Sequence, residues 1–355
     1  MKRNLLRLKN FLRDRDKKSF FTMLKEALHV WVLKKEVPFY YFGRFFYRKN
    51  APDYRKFMSL NEFNKLIAYV DYRFAKVSTI KNVLQDKLFF SYHCDKYNIS
   101  TPEVVSYNFE NRFFINGQVT VLKNAQDALD FFKLRMNDLS IDKLFLKLTD
   151  NKSGVGAILM RLEKLEVEID SIWIQIKDKY YIHQRVISQH PEINNIYSNS
   201  INTLRIETYI DQDDLIHFLG TYMRFGSGSS HVDNTNQGGF YVSVNLDTGT
   251  LFKMAKTNLI FGAKDLDRHP DTKFVFEDFK IPYFEESLDL VRHACKYMPG
   301  FVGAWDIAIT PIGPTIIEGN HRPSFLTGEW SYHGYKNKPI FKEIFSLVNQ
   351  YHKTK

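Results

Sequence analysis

The sequence predicts an α+β fold on three observations. Apolar residues recur at helical spacing in residues 59–99, 285–297 and 338–352. Between these stretches, short runs alternate or stay apolar over strand lengths. Tight polar turns separate the runs in pairs, as in antiparallel hairpins: around Asn116-Gly117, across Asp211–Asp214 and over Asp247-Thr-Gly249. Helices interspersed with antiparallel hairpins, rather than alternating with parallel strands, define α+β.

Near the N-terminus, Leu5, Leu8, Phe11 and Leu12 share one helical face, with cations between them. A second helix is predicted over Ser19–Leu33, with Phe20, Leu24, Ala27, Leu28 and Trp31 at helical spacing. In residues 59–99, Leu60, Phe63, Leu66, Ile67 and Val70 form an apolar stripe. Residues 112–122 read as a hairpin, Ala125–Leu134 as a short helix and Leu144–Leu148 as a buried strand. A Gly/Ser loop at Asn151–Gly156 precedes a strand over Ala157–Leu162. Residues 166–176 and 179–187 alternate or run apolar and read as strands. Residues 203–211 pair with 215–225, and 239–246 with 250–254.

A last hairpin joins two short strands, Ile307–Thr310 and Thr315–Ile317, through a Pro/Gly turn. Asp306 stands at the start of the first strand. Glu318 and Asn320 stand just past the end of the second. Folding the hairpin brings these ends together. Three oxygen ligands without cysteine suit a hard cation such as Mg²⁺, which keeps waters and takes phosphate oxygens. The same spacing also suits a polar hairpin tip.

The chain has 355 residues, 44% of them hydrophobic and 25% charged, with 31 Phe and 20 Tyr. That suffices for a large core in two domains or one elaborated domain. Cys94 and Cys295 lie far apart with no CxxC, which excludes a disulfide framework and a cysteine-based zinc site and fits a reducing compartment. No apolar run reaches transmembrane length, and no signal-peptide pattern follows the basic start, so a cytoplasmic location is expected.

The net charge of +10 is uneven. Residues 1–50 hold 14 Lys/Arg against 4 Asp/Glu, and the remaining 305 residues hold 36 of each sign. Nucleic-acid binding is not expected from a neutral body without a recognised motif. The cations and aromatics of residues 1–50 can lie against anionic lipid at the inner face of the membrane. They can equally form a helical layer packed on the body with its charges solvated.

Other stretches carry chemistry. Lys147 sits in an apolar strand, where a cation needs an anionic partner, and the Ser153-Gly154-Val-Gly156 loop follows at once. Such a loop lets backbone N–H groups approach phosphate, although it is also an ordinary hairpin turn. Asp86-Lys87 precedes a helical stretch. Gln184, Arg185 and Val186 end a strand whose main chain can meet a base edge. Alternation places Thr203 and Arg205 on one strand face, with Arg224 across from them when the strands pair. Two guanidiniums in one place suit phosphate or carboxylate, or salt bridges within the sheet. The loop Val232-Asp-Asn-Thr-Asn-Gln-Gly-Gly239 is polar and turn-like.

The order of these elements, from Asp86-Lys87 through Lys147 and its glycine loop to Asp306…Glu318-Gly-Asn320, resembles the ATP-grasp superfamily. More narrowly, Ser200-Ile-Asn-Thr-Leu-Arg205, Val232–Gly239 and Trp305-Asp-Ile-Ala…Ile317-Glu-Gly-Asn320 resemble the sugar-transfer-associated ATP-grasp proteins found with bacterial capsule and surface-polysaccharide genes. The resemblance covers about residues 55–345 and implies two α+β subdomains clamping ATP. On that pattern the chain divides into a basic helical extension (1–55), a helical region (56–110), a lid subdomain (111–185) and a metal- and substrate-binding subdomain (186–355).

The resemblance implies that Lys87 and Lys147 contact the phosphates of ATP. It implies that Ser153, Gly154 and Gly156 close over them, and that Gln184, Arg185 and Val186 line the adenine pocket. Asp306, Glu318 and Asn320 would bind Mg²⁺, and Asn202 would stand in for the usual acidic ribose contact. The implied activity is a carboxylate–amine ligase that makes an acyl phosphate from a carboxylate-bearing sugar or amino acid and passes the acyl group to an amine. Many such ligases carry an arginine two residues before the metal aspartate, where this chain has Ala304. That role falls to Arg205, Arg224 or Arg322. A sugar kinase on the same fold and a non-catalytic nucleotide-binding scaffold in a glycan assembly complex are the alternatives.

Overall fold

The computed structural model describes residues 11–150, 156–228, 230 and 232–354. The basic N-terminal segment folds into helices α1 (Phe20–Lys34) and α2 (Phe39–Gly43). The earlier helical stretch around Leu5 and Leu8 lies outside the described residues. Residues 59–99, expected as one helical region, form α3 (Leu60–Ala75), α4 (Ser78–Gln85) and α5 (Lys87–Lys96). Ser59 and Glu62 form a reciprocal capping box that starts α3. Asp86 caps α5 by accepting the Leu88 and Phe89 N–H groups, so the acid of the Asp86-Lys87 pair is spent on starting a helix.

A six-stranded antiparallel sheet follows, in the order β3-β2-β1-β6-β4-β5. Its strands are β1 (Val104–Phe109), β2 (Arg112–Ile115), β3 (Gln118–Val121), β4 (Lys143–Leu148), β5 (Ile158–Arg161) and β6 (Tyr180–Arg185). Helices α6 (Ala125–Asp138) and α7 (Leu165–Ile176) cover one face, burying Phe113, Phe132, Leu144, Leu146 and Ile169. Helix α7 corrects the strand expected over residues 166–176. Its β-branched residues suit a strand locally, but Leu165, Ile169, Ile172 and Ile176 recur at helical spacing and are the positions the core buries.

After α8 (Pro191–Ile196), a seven-stranded antiparallel sheet runs in the order β11-β10-β9-β8-β7-β12-β13. It comprises β7 (Thr203–Ile210), β8 (Ile216–Phe225), β9 (Phe240–Val244), β10 (Leu251–Thr257), β11 (Asp265–Leu266), β12 (Val302–Thr310) and β13 (Gly313–Asn320). Helix α9 (Phe284–Tyr297) packs on Leu204, Ile206, Met223 and Ile307 of one face. The alternate residues, Thr203, Arg205 and Asp306 among them, point to the other face. Helices α10 (Leu326–Ser331) and α11 (Pro339–Lys353) close the chain, and α11 shares a core with α3 through Leu66, Val70, Phe341 and Ile344.

The extension packs on this body. Val30, Tyr41, Phe45, Phe46 and Phe57 form one buried cluster with Tyr222, Tyr241 and Trp330. Arg44 pairs with Glu329 at 2.8 Å, and the Glu329 side chain is fully buried. Glu62 takes Lys34 at 3.1 Å and Lys336 at 2.6 Å, so one carboxylate joins α1 to the C-terminal region. No helix among the described residues is long and apolar enough to cross a membrane.

Candidate active site

The β12–β13 hairpin is longer than its sequence suggests. Asp306 lies inside β12, and Glu318 and Asn320 lie within β13. The register sets Arg205, Asp306 and Glu318 side by side on three adjacent strands. Glu318 and Asn320, two apart, share a face of β13. Asp306 receives Arg205 through two parallel bonds, Nε to Oδ1 and Nη2 to Oδ2, both 2.6 Å. Arg224 adds a contact at 3.1 Å.

β7 and β8 pair as expected, and Arg224 lies beside Thr203. Its Nε donates to Thr203 Oγ1 at 2.9 Å. Asp233 accepts the Thr203 N–H at 2.9 Å and the Thr203 hydroxyl, and stands 3.4 Å from Arg224. Two partly buried guanidiniums thus face two buried carboxylates, which offsets the cost of removing the charges from water. Burial alone would raise the Asp306 carboxyl. The two arginines override it and hold Asp306 below the usual carboxylate range. At Asp233 burial wins and the carboxyl is pushed up. Two residues along β7, burial pushes the Glu207 carboxyl up to about 7, against the Tyr335 hydroxyl that donates to it.

The second wall comes from α5 and β4. The Lys87 N–H donates to Thr149 O at 2.8 Å, binding the first turn of α5 to the end of β4. Burial, then the like charge of Lys87, pushes Lys147 down to about 8, with Glu318 pulling the other way. Lys87, Lys147 and Glu318 therefore share one electrostatic environment. The cleft between α5 and β13 is lined by Gln85, Asp86, Lys87, Glu318, Asn320 and Arg322. Arg322 is half-exposed and pairs with Asp71 at 3.2 Å, away from the Asp306 network.

The donors fit Mg²⁺. Asp306, Glu318 and Asn320 offer only oxygen ligands, as a hard cation requires. The Asn320 amide nitrogen is buried without a hydrogen-bond partner, and the two ends of an amide are interchangeable by rotation. Among the described residues, no three His, Cys, Asp or Glu side chains cluster for a metal, so Asn320 is needed to complete a set of three.

Other expected contacts are distributed differently. Gln184 and Arg185 end β6, where Gln184 Nε2 donates to Pro102 O at 3.2 Å and Arg185 pairs with Glu103 at 2.7 Å. Val186 follows them, half-buried. Gly156 has φ +74, and a Cβ there would come 2.8 Å from Leu148 Cδ1, so the position requires glycine. Ser153 and Gly154 lie outside the described residues.

Asn202 is a correction to the expected ribose contact. It is completely buried; its Nδ2 donates to Gln189 Oε1 and Tyr197 O, and its Oδ1 accepts from Ser200 Oγ and Gly226 N. All four bonds of the amide are used within the protein, which leaves none for a ribose hydroxyl. The residue absent from the sequence-based set is Asp233. Its signal was its place in the polar Val232–Gly239 loop, which reads as a plain turn until β7 is set beside it.

Residues 73–331 match the family described as sugar-transfer associated ATP-grasp. No curated protein matches the chain. Among solved structures, D-alanyl-alanine synthetase A from Vibrio cholerae is similar at 11% identity and TM-score 0.45, over 75% of this chain and 65% of that one. A D-alanine–D-alanine ligase from Bacillus anthracis is similar at 12% identity and TM-score 0.44, over 78% and 70%. N5-carboxyaminoimidazole synthetase from Staphylococcus aureus is similar at 10% identity and TM-score 0.40, over 71% of this chain and 50% of that one.

Proposed function

The chain belongs to the sugar-transfer associated ATP-grasp family, and from that premise we propose that it is an ATP-dependent carboxylate–amine ligase. Its substrates are a carboxylate-bearing sugar or amino acid and an amine, used in building or modifying a bacterial surface polysaccharide. The observation that carries the reading is the row of Arg205, Asp306 and Glu318 across three strands, with Arg224 beside Asp306.

In this reading Lys87 and Lys147 hold the phosphates of ATP from the α5–β4 side. Asp306, Glu318 and Asn320 hold Mg²⁺, which when bound neutralises charge on the phosphates. A carboxylate oxygen of the substrate attacks the γ-phosphorus, and the bond to the ADP oxygen breaks. Arg205 and Arg224 steady the resulting acyl phosphate, a task that preorganised cations perform well in a buried site. The amine then attacks the acyl carbon, loses a proton, and phosphate departs. The small side chain at Ala304 is compatible with this chemistry, because two other guanidiniums already stand at Asp306.

The test is Mg²⁺-dependent ADP release by the purified chain with panels of uronic acids and amino acids plus an amine, with hydroxylamine added to trap acyl phosphate. Hydroxamate formation with one carboxylate is the expected result. A stable phosphoester seen by ³¹P NMR, with no hydroxamate from any carboxylate, would instead make the chain a sugar kinase. Full biological function of a Glu318→Ala chain that no longer binds ATP would make it a scaffold.

A further inference from the structure

Helix α1 is built the wrong way round for a helix on a soluble body. Its inward side is narrow: among its residues, only Val30 and Lys34 are buried. Its outward side carries Phe20, Phe21, Leu24, Leu28, Trp31 and Val32, with Phe21 81%, Val32 74% and Trp31 57% exposed. At 100° per residue these six positions fall in one arc of roughly 120°, the width of a stripe that normally faces a core. Phe39, 80% exposed, extends the apolar surface beyond the helix. Scattered exposed apolar residues are ordinary, but a continuous stripe of this kind marks an interaction surface.

Charge identifies the partner. Arg13 and Arg15 are exposed on the segment leading into α1, Lys25 is exposed on the helix next to the stripe, and Lys35 is exposed at its C-terminal end; no ion pair among the described residues engages them. Three of the four acids in residues 1–50 are used elsewhere. Asp14 pairs with Arg48, Glu26 with Lys18, and Glu36 accepts the Leu60 and Asn61 N–H groups. The outward side is therefore apolar along its centre and cationic at its margins. A second copy of this face would bring like charges together. A helix of 15 residues is about 22 Å long, too short to cross a hydrocarbon core of about 30 Å. We infer that α1 lies in the plane of an anionic membrane surface, with its aromatics in the headgroup boundary and its cations on acidic lipid headgroups. Trp31 is the kind of residue that favours that boundary. The inference stands apart from the ligase chemistry, because it uses none of the cleft residues.

The test uses the full chain, since the extension is part of the folded body. Vesicles of phosphatidylcholine, with or without phosphatidylglycerol, are sedimented with the protein. The expected result is co-sedimentation with the phosphatidylglycerol vesicles alone, weakening as salt is added, with a blue shift of tryptophan emission that a Trp31→Phe chain loses. A chain carrying Phe20→Ser, Phe21→Ser, Leu24→Ser and Trp31→Ser together should bind about tenfold more weakly or worse. Its melting curve reports whether it folds. If it does not, Arg15→Glu with Lys25→Glu decides, since that chain keeps the stripe and should lose about tenfold in affinity for the anionic vesicles. Two results overturn the inference: a full chain that stays in the supernatant with phosphatidylglycerol vesicles, or a concentration-dependent dimer that ignores vesicles and is dissolved by the serine substitutions.

Discussion

Lys147 holds its proton less firmly than a surface lysine, because burial and Lys87 both oppose its charge. Its value of about 8 sets the sign of a pH effect. Below that value the side chain is cationic and ready for phosphate. Above it, the empty site has lost the proton, and a bound phosphate restores it. ATP binding should therefore take up protons above pH about 8. Calorimetry in buffers of different ionisation enthalpy would measure that uptake. It should vanish in Lys147→Met, with ATP affinity falling about 10–100-fold, the worth of a hydrogen bond to a charged group. The residues of this site are legible in the sequence to different depths. Asp306, Glu318 and Asn320 stand close together in the chain and a hairpin explains them. Arg205 and Arg224 follow from one local strand pair. That both arginines meet Asp306 is not local information, because β12 joins β7 across about 100 residues. Asn202 looks available for a different reason: its four partners, Gln189, Tyr197, Ser200 and Gly226, are near in sequence, but they lie in turns and loops that no regular period foretells.

The β12–β13 hairpin is held by what packs behind it. A Cβ at Gly319 would come 2.7 Å from Leu84 Cδ2, 2.9 Å from Trp305 Cζ3 and 3.2 Å from Phe90 Cε2. The glycine between Glu318 and Asn320 thus lets α4 and α5 approach the strand that carries the metal ligands. Gly319→Ala should cost about 1–3 kcal/mol, the usual range for an overpacked contact. Urea melts would show a lower midpoint, and ATP titration a weaker complex, because α5 carries Lys87. A midpoint unchanged from the parent chain would mean that Leu84 and Phe90 yield without resistance. Elements with a strong single period, such as α3 and α9, are legible without the structure. Helix α7 is not, because its isoleucines satisfy a strand propensity and a helical period at once, and the decision is made by the sheet face it covers.

Across the whole molecule, the extension and the C-terminal region are one structure. Glu329 is buried without solvent contact, and Arg44 is the cation that meets it. Arg44→Met should destabilise the chain by about 3 kcal/mol, since it strands a buried carboxylate. The loss should shrink as the pH falls, because Glu329, already pushed up by burial, can then take a proton. Chemical denaturation in acidic and alkaline buffer would separate the two cases, and equal losses in both would contradict the account. The uneven charge of residues 1–50 is plain in the sequence. Whether that segment packs is decided by Tyr222, Tyr241 and Trp330, far along the chain.

That layout has a consequence for how the protein is made. Residues 30–57 leave the ribosome well before Trp330 and Lys336, which complete their cluster and the Glu62 bridge. At about 5–20 residues per second, the first layer waits on the order of tens of seconds for its partners. Throughout that interval the side of this layer that Trp330 covers in the folded protein lacks its partner.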